Sequence, residues 1–197
     1  YADVPNTKKN NSYVNLKKSG FSIPGVFGAK YEQATIEYWT NCNSLSNWNQ
    51  SAGPGWGNFM FHANADGTFT AGWDTSDRLN VSGALTKGTW KHIALVVDGN
   101  KMTAYVNGTE KASITSNKFS GVGGFGDLVF SSSGTNSAWD AKVDELRIWK
   151  TARTADEIKE WRNVEFGDAG IPADLVAYYK GDLINQGGVQ KLRDHTT

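Results

Sequence analysis

One cysteine among 197 residues, Cys42, has nothing to pair with, so no intrachain disulfide framework holds this chain together. A lone thiol of this kind is expected to serve as a small buried apolar residue. Net charge is lacking as well. Lys plus Arg and Asp plus Glu each number 20, leaving no overall field to favour nucleic acid or an anionic membrane. No apolar run approaches the length that crosses a bilayer, so membrane insertion is not expected. No signal peptide opens the sequence, which begins at Tyr1 rather than Met, and an N-terminal part is expected either to have been removed or to lie outside this stretch.

The signatures of several chemistries are missing. The three histidines, His62, His92 and His195, are scattered without a His-x-x-x-His pair or a cysteine partner, which argues against zinc. No Gly-x-Ser-x-Gly elbow presents a serine nucleophile. The glycines at 121, 123, 124 and 126 have no Gly-Lys-Ser/Thr and no following helix, so they read as an ordinary loop and not a phosphate cradle. A glycosidase needs two carboxyls roughly 5 Å apart for retention or about 6.5–9.5 Å apart for inversion. Glu37 stands alone in the sequence, and the adjacent Asp144 and Glu145 would point to opposite faces of a strand. The chain is therefore not expected to be an enzyme.

What is present is aromatic. Eight Trp, seven Tyr and nine Phe accompany 39% hydrophobic and 20% charged residues, in a length sufficient for a full core. The stretch Thr89 to Gly108 organises the rest. Two apolar runs, Trp90–Val97 and Met102–Val106, are separated and closed by Asp98-Gly99-Asn100 and Asn107-Gly108, strong hairpin signals. Trp90, His92, Ala94 and Val96 share one face and Ile93, Leu95 and Val97 the other, so this strand has layers on both sides.

Around it, Tyr13–Leu16, Ala34–Thr40, Phe59–His62, Thr68–Trp73, Leu128–Phe130, Val143–Trp149 and Leu175–Lys180 read as strands. Thr154-x-x-Glu157 is a capping box that opens one short helix, with Ile158 and Trp161 on its apolar face. No internal repeat is evident. The pattern predicts an all-β fold, an antiparallel two-sheet β-sandwich with one short helix near the C-terminal part. The domain reading is a single unit over 1–197, its core at about 12–161. A C-terminal extension, 163–197, packs on that core or borders a further domain. Four Asn-x-Ser/Thr sequons, at Asn10, Asn49, Asn80 and Asn107, matter only if a eukaryote secretes the protein.

Three blocks carry a family resemblance: ATIEYWT at 34–40, TWKHIALVVDG at 89–99 with YVNG at 105–108, and VDELRIW at 143–149 before the capping box. In order and spacing they resemble the concanavalin A-like jelly rolls of the laminin G and pentraxin type. LVAYYK at 175–180 resembles a strand that borders such domains in bacterial surface proteins. The resemblance implies an extracellular or cell-envelope protein, at the surface or in the periplasm, that frequently binds carbohydrate, often with structural calcium. In the glucanase branch a similar strand offers its Asp to that calcium, which makes Asp144 the implied ligand, on the same strand face as Leu146 and Ile148; the alternative is that Asp144 accepts backbone amides of a neighbouring loop and holds no ion.

Sugar binding asks for an aromatic ring to stack on a pyranose and short polar side chains to meet its hydroxyls. Asn41–Asn58 reads as one long polar loop, and with Trp73–Arg78 and Ser131–Trp139 it is expected to line a shallow groove. The candidate ligand-binding residues are Trp48, Trp56, Asn58, Trp73, Asp74, Arg78, Asn136 and Trp139. Three functions stay open: a non-catalytic domain for a glycan or polysaccharide, an adhesion or structural module for a protein partner at the cell surface, and a diverged glycoside hydrolase or lyase.

Overall fold

The computed structural model describes residues 13–130, 139–167, 170–186 and 189–196. Short apolar runs set the strands, and glycine-rich turns set their ends. In chain order they are β1 (Val14–Ser19), β2 (Phe21–Phe27), β3 (Lys30–Tyr31), β4 (Gln33–Cys42), β5 (Asn49–Gly55) and β6 (Phe59–Ala63). Next come β7 (Phe69–Gly72), β8 (Arg78–Val81), β9 (Trp90–Asp98), β10 (Lys101–Val106), β11 (Thr109–Thr115) and β12 (Val122–Gly123). The last are β13 (Gly126–Phe130), β14 (Trp139–Trp149), helix α1 (Ala155–Trp161), β15 (Leu175–Tyr179), β16 (Leu183–Gln186) and β17 (Val189–Leu192).

The predicted sandwich is there. One sheet runs β1-β14-β4-β9-β10-β11, with β15 also on β14, and the other runs β2-β13-β5-β6-β7-β8. Their neighbouring strands pair antiparallel. The core lies between them, with Ile36, Tyr38, Ile93 and Leu95 facing Phe59, Phe61, Phe69 and Phe130. The central hairpin β9–β10 turns at Gly99 and Asn100, and the turn that closes it into β11 is made by Asn107 and Gly108, with φ of 52° and 77°, the left-handed pair a type I′ turn needs.

The first sheet is covered on its outer face, which explains why β9 is apolar on both sides. Ala94, Val96 and Tyr105 pack under Ile158 of α1, and Trp149, Leu175 and Tyr178 pack with Phe166 and Trp161. The capping box forms as predicted: Thr154 accepts the Glu157 amide, and the Glu157 carboxylate accepts the Thr154 amide at 2.8 Å. Beneath this layer lies a buried ionic network. Glu37, alone in the sequence, is not alone in the fold. It accepts the Trp149 indole N–H at 2.8 Å, with His92 Nε2 at 3.2 Å and Arg147 Nη1 at 3.7 Å. Burial by itself would raise the Glu37 pKa, but the hydrogen bond from His92 and the charge of Arg147 bring it down to about 2.

Two expectations change here. The 41–58 segment is not one long loop. β4 runs through Cys42 and β5 starts at Asn49, because buried polar side chains in this stretch bond to each other and to backbone. Asp144 does not share a face with Leu146 and Ile148. Opposite β4, Asp144 pairs with Trp39 but Arg147 with Glu37, so β14 carries one extra residue, and Glu145 there has φ of 51°. A bulge of this kind resets the alternation. Leu146 and Ile148 face the core, while Asp144 joins Trp39, Arg147 and Trp149 on the helix-covered face.

Candidate functional site

The second sheet has an outer face with a different composition from its inner one. Along β6, β7 and β8, Phe59, Phe61, Ala63, Phe69, Ala71, Leu79 and Val81 point into the core. Alternation sends Met60, His62, Thr70, Gly72, Arg78 and Asn80 the other way. Register aligns these into two cross-strand rows, His62–Thr70–Asn80 and Met60–Gly72–Arg78.

Two tryptophans gather over the first row. The Trp48 ring lies 4.3 Å from the His62 ring, and the Trp56 ring meets it edge-on at 5.9 Å. Trp48 is 40% exposed, the most open of the large apolar side chains in this cluster. It is also held under strain, with φ of 67°, and Gln50 two residues on has φ of 55°. Non-glycine residues take this conformation only where their surroundings over-determine it, and such residues cluster at ligand clamps. The surroundings here are explicit. Asn49 donates to the Ser44 carbonyl and accepts the Gln50 and Asp140 amides. The buried Gln50 side chain accepts from Thr40 at 3.0 Å and donates to Cys42 Sγ at 2.8 Å. Asn43 and Ser44 bond to the Asp140 carboxylate, and Asn47 accepts the Ala65 amide. The polar residues of this loop therefore hold its backbone from below and leave Trp48 on top. Trp56 is fixed separately, since the neighbouring Gly57 amide donates to the Trp73 carbonyl at 2.8 Å.

His62 is 3% exposed, and its Nδ1 has no partner. Burial first, then the charge of Arg78, lower its pKa from 6.5 to about 4, against a hydrogen bond with Asn64 that favours the proton. At neutral pH the imidazole is uncharged. The polar row beside it is linked, with Asn64 donating to Thr70 Oγ1 at 3.1 Å and Thr70 donating to Asn80 Oδ1 at 2.8 Å.

Of the residues singled out in the sequence, Trp48, Trp56 and Arg78 come together here. Asn58 is exposed in the turn beside Trp56. Asp74 is engaged in its own turn, where its Oδ1 accepts the Ser76 and Asp77 amides, both at 2.7 Å. Trp73 and Trp139 are corrections, because both are core. Trp73 is 1% exposed, donates to the Gly121 carbonyl and stacks on Phe119. Trp139 is fully buried and donates to the Ser51 carbonyl. Asn136 lies outside the described residues, as does most of the Ser131–Trp139 segment expected to line the groove. His62, Thr70 and Asn80 were not singled out, although alternation in β6–β8 was the signal that places them outward.

Over residues 8–159 the sequence matches the concanavalin A-like lectin/glucanases superfamily. The chain belongs to that superfamily. Solved structures agree in fold. A protein from Bacteroides ovatus assigned as carbohydrate-binding is 22% identical with a TM-score of 0.70; the match covers 92% of this chain and 54% of that one. This superfamily member thus spans about half the length of that relative. Domain 4 of an extracellular GH43 arabinanase from Geobacillus stearothermophilus, in complex with arabinotriose, is 20% identical. Its TM-score is 0.58, with 75% of each chain covered. The CBM40 of a Ruminococcus gnavus IT-sialidase, bound to α2,3 sialyllactose, is 12% identical with a TM-score of 0.59, covering 78% of this chain and 97% of that one. A search of curated proteins gave no match.

Membership of this superfamily raises the question of calcium at Asp144. Its Oδ1 accepts the Glu145 amide at 2.9 Å and its buried Oδ2 has no partner. Burial, then the nearby carboxylates of Glu145 and Glu165, push its pKa up to about 8. Glu145 itself is taken by Arg147 and by the Tyr178 hydroxyl at 2.7 Å. Among the described residues no group of three or more His, Cys, Asp or Glu is placed to hold a metal ion. Calcium takes 6–8 oxygens, and these side chains do not supply that donor set. No described helix is long and apolar enough to cross a membrane.

Proposed function

We propose that this domain recognises carbohydrate without cleaving it, through the outer face of the second sheet, as part of an extracellular or cell-envelope protein. The observation that carries the reading is the exposed Trp48 ring, held at strained backbone over a buried, neutral His62 by a loop bonded inward. Folding gains nothing from that exposure. A rigid ring offers a stacking surface whose ordering cost is already met, and the Thr70–Asn80 row and Arg78 lie beside it to meet hydroxyls. The solved relatives that carry arabinotriose and sialyllactose support carbohydrate as the ligand class. Non-catalytic action is supported by the face itself, where the described outward residues of β6–β8 include no carboxylate. An open face buries little of its ligand, so affinity per site is modest.

A glycan array tests this with the wild-type chain and Trp48→Ala. The expected result is binding by wild type, loss of about tenfold or more in the variant, and an unchanged melting temperature. Equal binding by the variant places the site elsewhere, and release of new reducing ends during incubation contradicts the non-catalytic reading. A calcium ion at Asp144 has the least support, since a proton satisfies the same free oxygen. A melting temperature that drops on chelation would establish the ion.

A further inference from the structure

The described outward residues of β6–β8 include one charged side chain, Arg78, and no carboxylate. Asn80 Oδ1 is occupied by the Thr70 hydroxyl, which leaves the Asn80 amide Nδ2 as its free end. Asn64 gives its Nδ2 to Thr70 Oγ1 at 3.1 Å. Arg78 is exposed and outward, and among the described residues it is in no ion pair. The nearest acidic side chains along the sequence are engaged elsewhere: Asp77 accepts the Ser116 hydroxyl at 2.6 Å, and Asp74 and Asp66 are bound by amides of their own turns. Among the described outward residues of these strands the one full charge is thus the Arg78 guanidinium, with the Asn80 amide in the neighbouring row.

We propose that the ligand is an acidic glycan, and that Arg78 and the Asn80 amide receive a sugar carboxylate next to a sugar stacked on Trp48. This rests on the carbohydrate reading above and narrows it. A guanidinium presents a planar fork of N–H donors that matches a carboxylate in two hydrogen bonds, which a hydroxyl does not reproduce; a sulfate can fill the same fork, and the sulfated sugars in the test separate the two. Geometry is suitable. Neighbouring strands are about 4.8 Å apart, so His62 on β6 and the Arg78 strand are about 10 Å apart, the span of adjoining sugar units. In the Arg78 row, Gly72 lies between Met60 and Arg78, and a Cβ there would come within 2.7 Å of Arg78 Cβ. The glycine therefore lets the Arg78 strand close on β7 and keeps the middle of that row free of a side chain. His62, neutral down to about pH 4, adds no competing charge in the range where a sugar carboxylate is ionised.

The test is titration calorimetry on a panel of galacturonate, glucuronate and sialyl oligosaccharides. Each is supplied as free acid and as methyl ester, alongside sulfated and neutral oligosaccharides. The expected result is that one acid form binds at least about tenfold more tightly than its ester. Arg78→Gln removes that preference by weakening the acid far more than the ester, while Trp48→Ala weakens both alike. Binding of the acid should also fall as salt is added. Equal affinity for acid and ester, or preference for neutral or sulfated sugars, overturns the acidic-glycan assignment and leaves the carbohydrate reading standing. Silence across the whole panel overturns both. Arg78 is on the surface, so the variant folds, and its melting curve confirms that loss of binding is not loss of structure.

Discussion

Trp48 and Trp73 sit in similar polar sequence, Ser-Asn-Trp-Asn and Ala-Gly-Trp-Asp, yet one ring meets solvent and the other is core. Trp73→Ala is expected to cost about 3–5 kcal/mol and Trp48→Ala under about 1 kcal/mol, measured by denaturant unfolding. Local sequence could not separate them, because the groups that bury Trp73, the Gly121 carbonyl and Phe119, arrive far along the chain. Asp144 was misplaced for a related reason. Alternation is counted from one residue to the next, and a bulge set by long-range pairing shifts the count. The same residue gives a second prediction. Its pKa is about 8 in the fold against 3.8 when unfolded, so the folded state holds a proton that the unfolded chain releases. The stability this provides is complete below about pH 3.8 and is lost as pH rises through 8. Asp144→Asn should therefore raise the unfolding free energy at pH 8–9 by on the order of 1–3 kcal/mol, read from denaturant unfolding, and change it little at pH 4.

Elements were more legible than positions within them. The central hairpin, β4, the last core strand and the capping box could all be read directly, since turn glycines, alternation and the Thr-x-x-Glu spacing are local physics. Thr154→Ala should cost about 1 kcal/mol, visible as a lower denaturation midpoint with an unchanged slope. The site was half legible. Tryptophan among amides in a loop pointed to Trp48 and Trp56, but the floor on which they rest comes from one face of three short strands. Read by alternation alone, Met60, His62, Thr70, Gly72, Arg78 and Asn80 separate cleanly from the core residues between them. His62 links this element to pH. Its pKa is lowered to about 4, so its stabilising effect is present above about pH 6.5 and is lost as pH falls through 4. His62→Gln should remove that acid sensitivity, with melting curves at pH 4 and 7 as the check. Glycan binding by wild type should be flat between pH 5.5 and 8, since the histidine is neutral throughout.

Over the whole molecule the two faces of the sandwich divide the work. The second sheet presents a face that carries ligand-type groups, and the first carries a dry ionic network under a helix. Glu37 at about pKa 2, against 4.5 unfolded, adds stability that is present above pH 4.5 and lost as pH falls toward 2. Wild type should lose melting temperature steeply across that interval, and Glu37→Gln should flatten the loss while starting from a lower value at neutral pH. The network also reaches beyond the family match, which ends at residue 159. Arg147 donates to the carbonyls of Trp161 and Val164, Trp39 donates to that of Arg162, and the Tyr178 hydroxyl joins Glu145 to the Phe166 amide. Cutting the chain at 159 would strand a buried guanidinium and carboxylate without these partners. Breaking such a group costs about 3–5 kcal/mol, a large part of the roughly 5–15 kcal/mol that holds a domain folded. The border of the family match and the border of the cooperative unit therefore differ, and a fragment trimmed to residue 159 should melt well below the 197-residue chain.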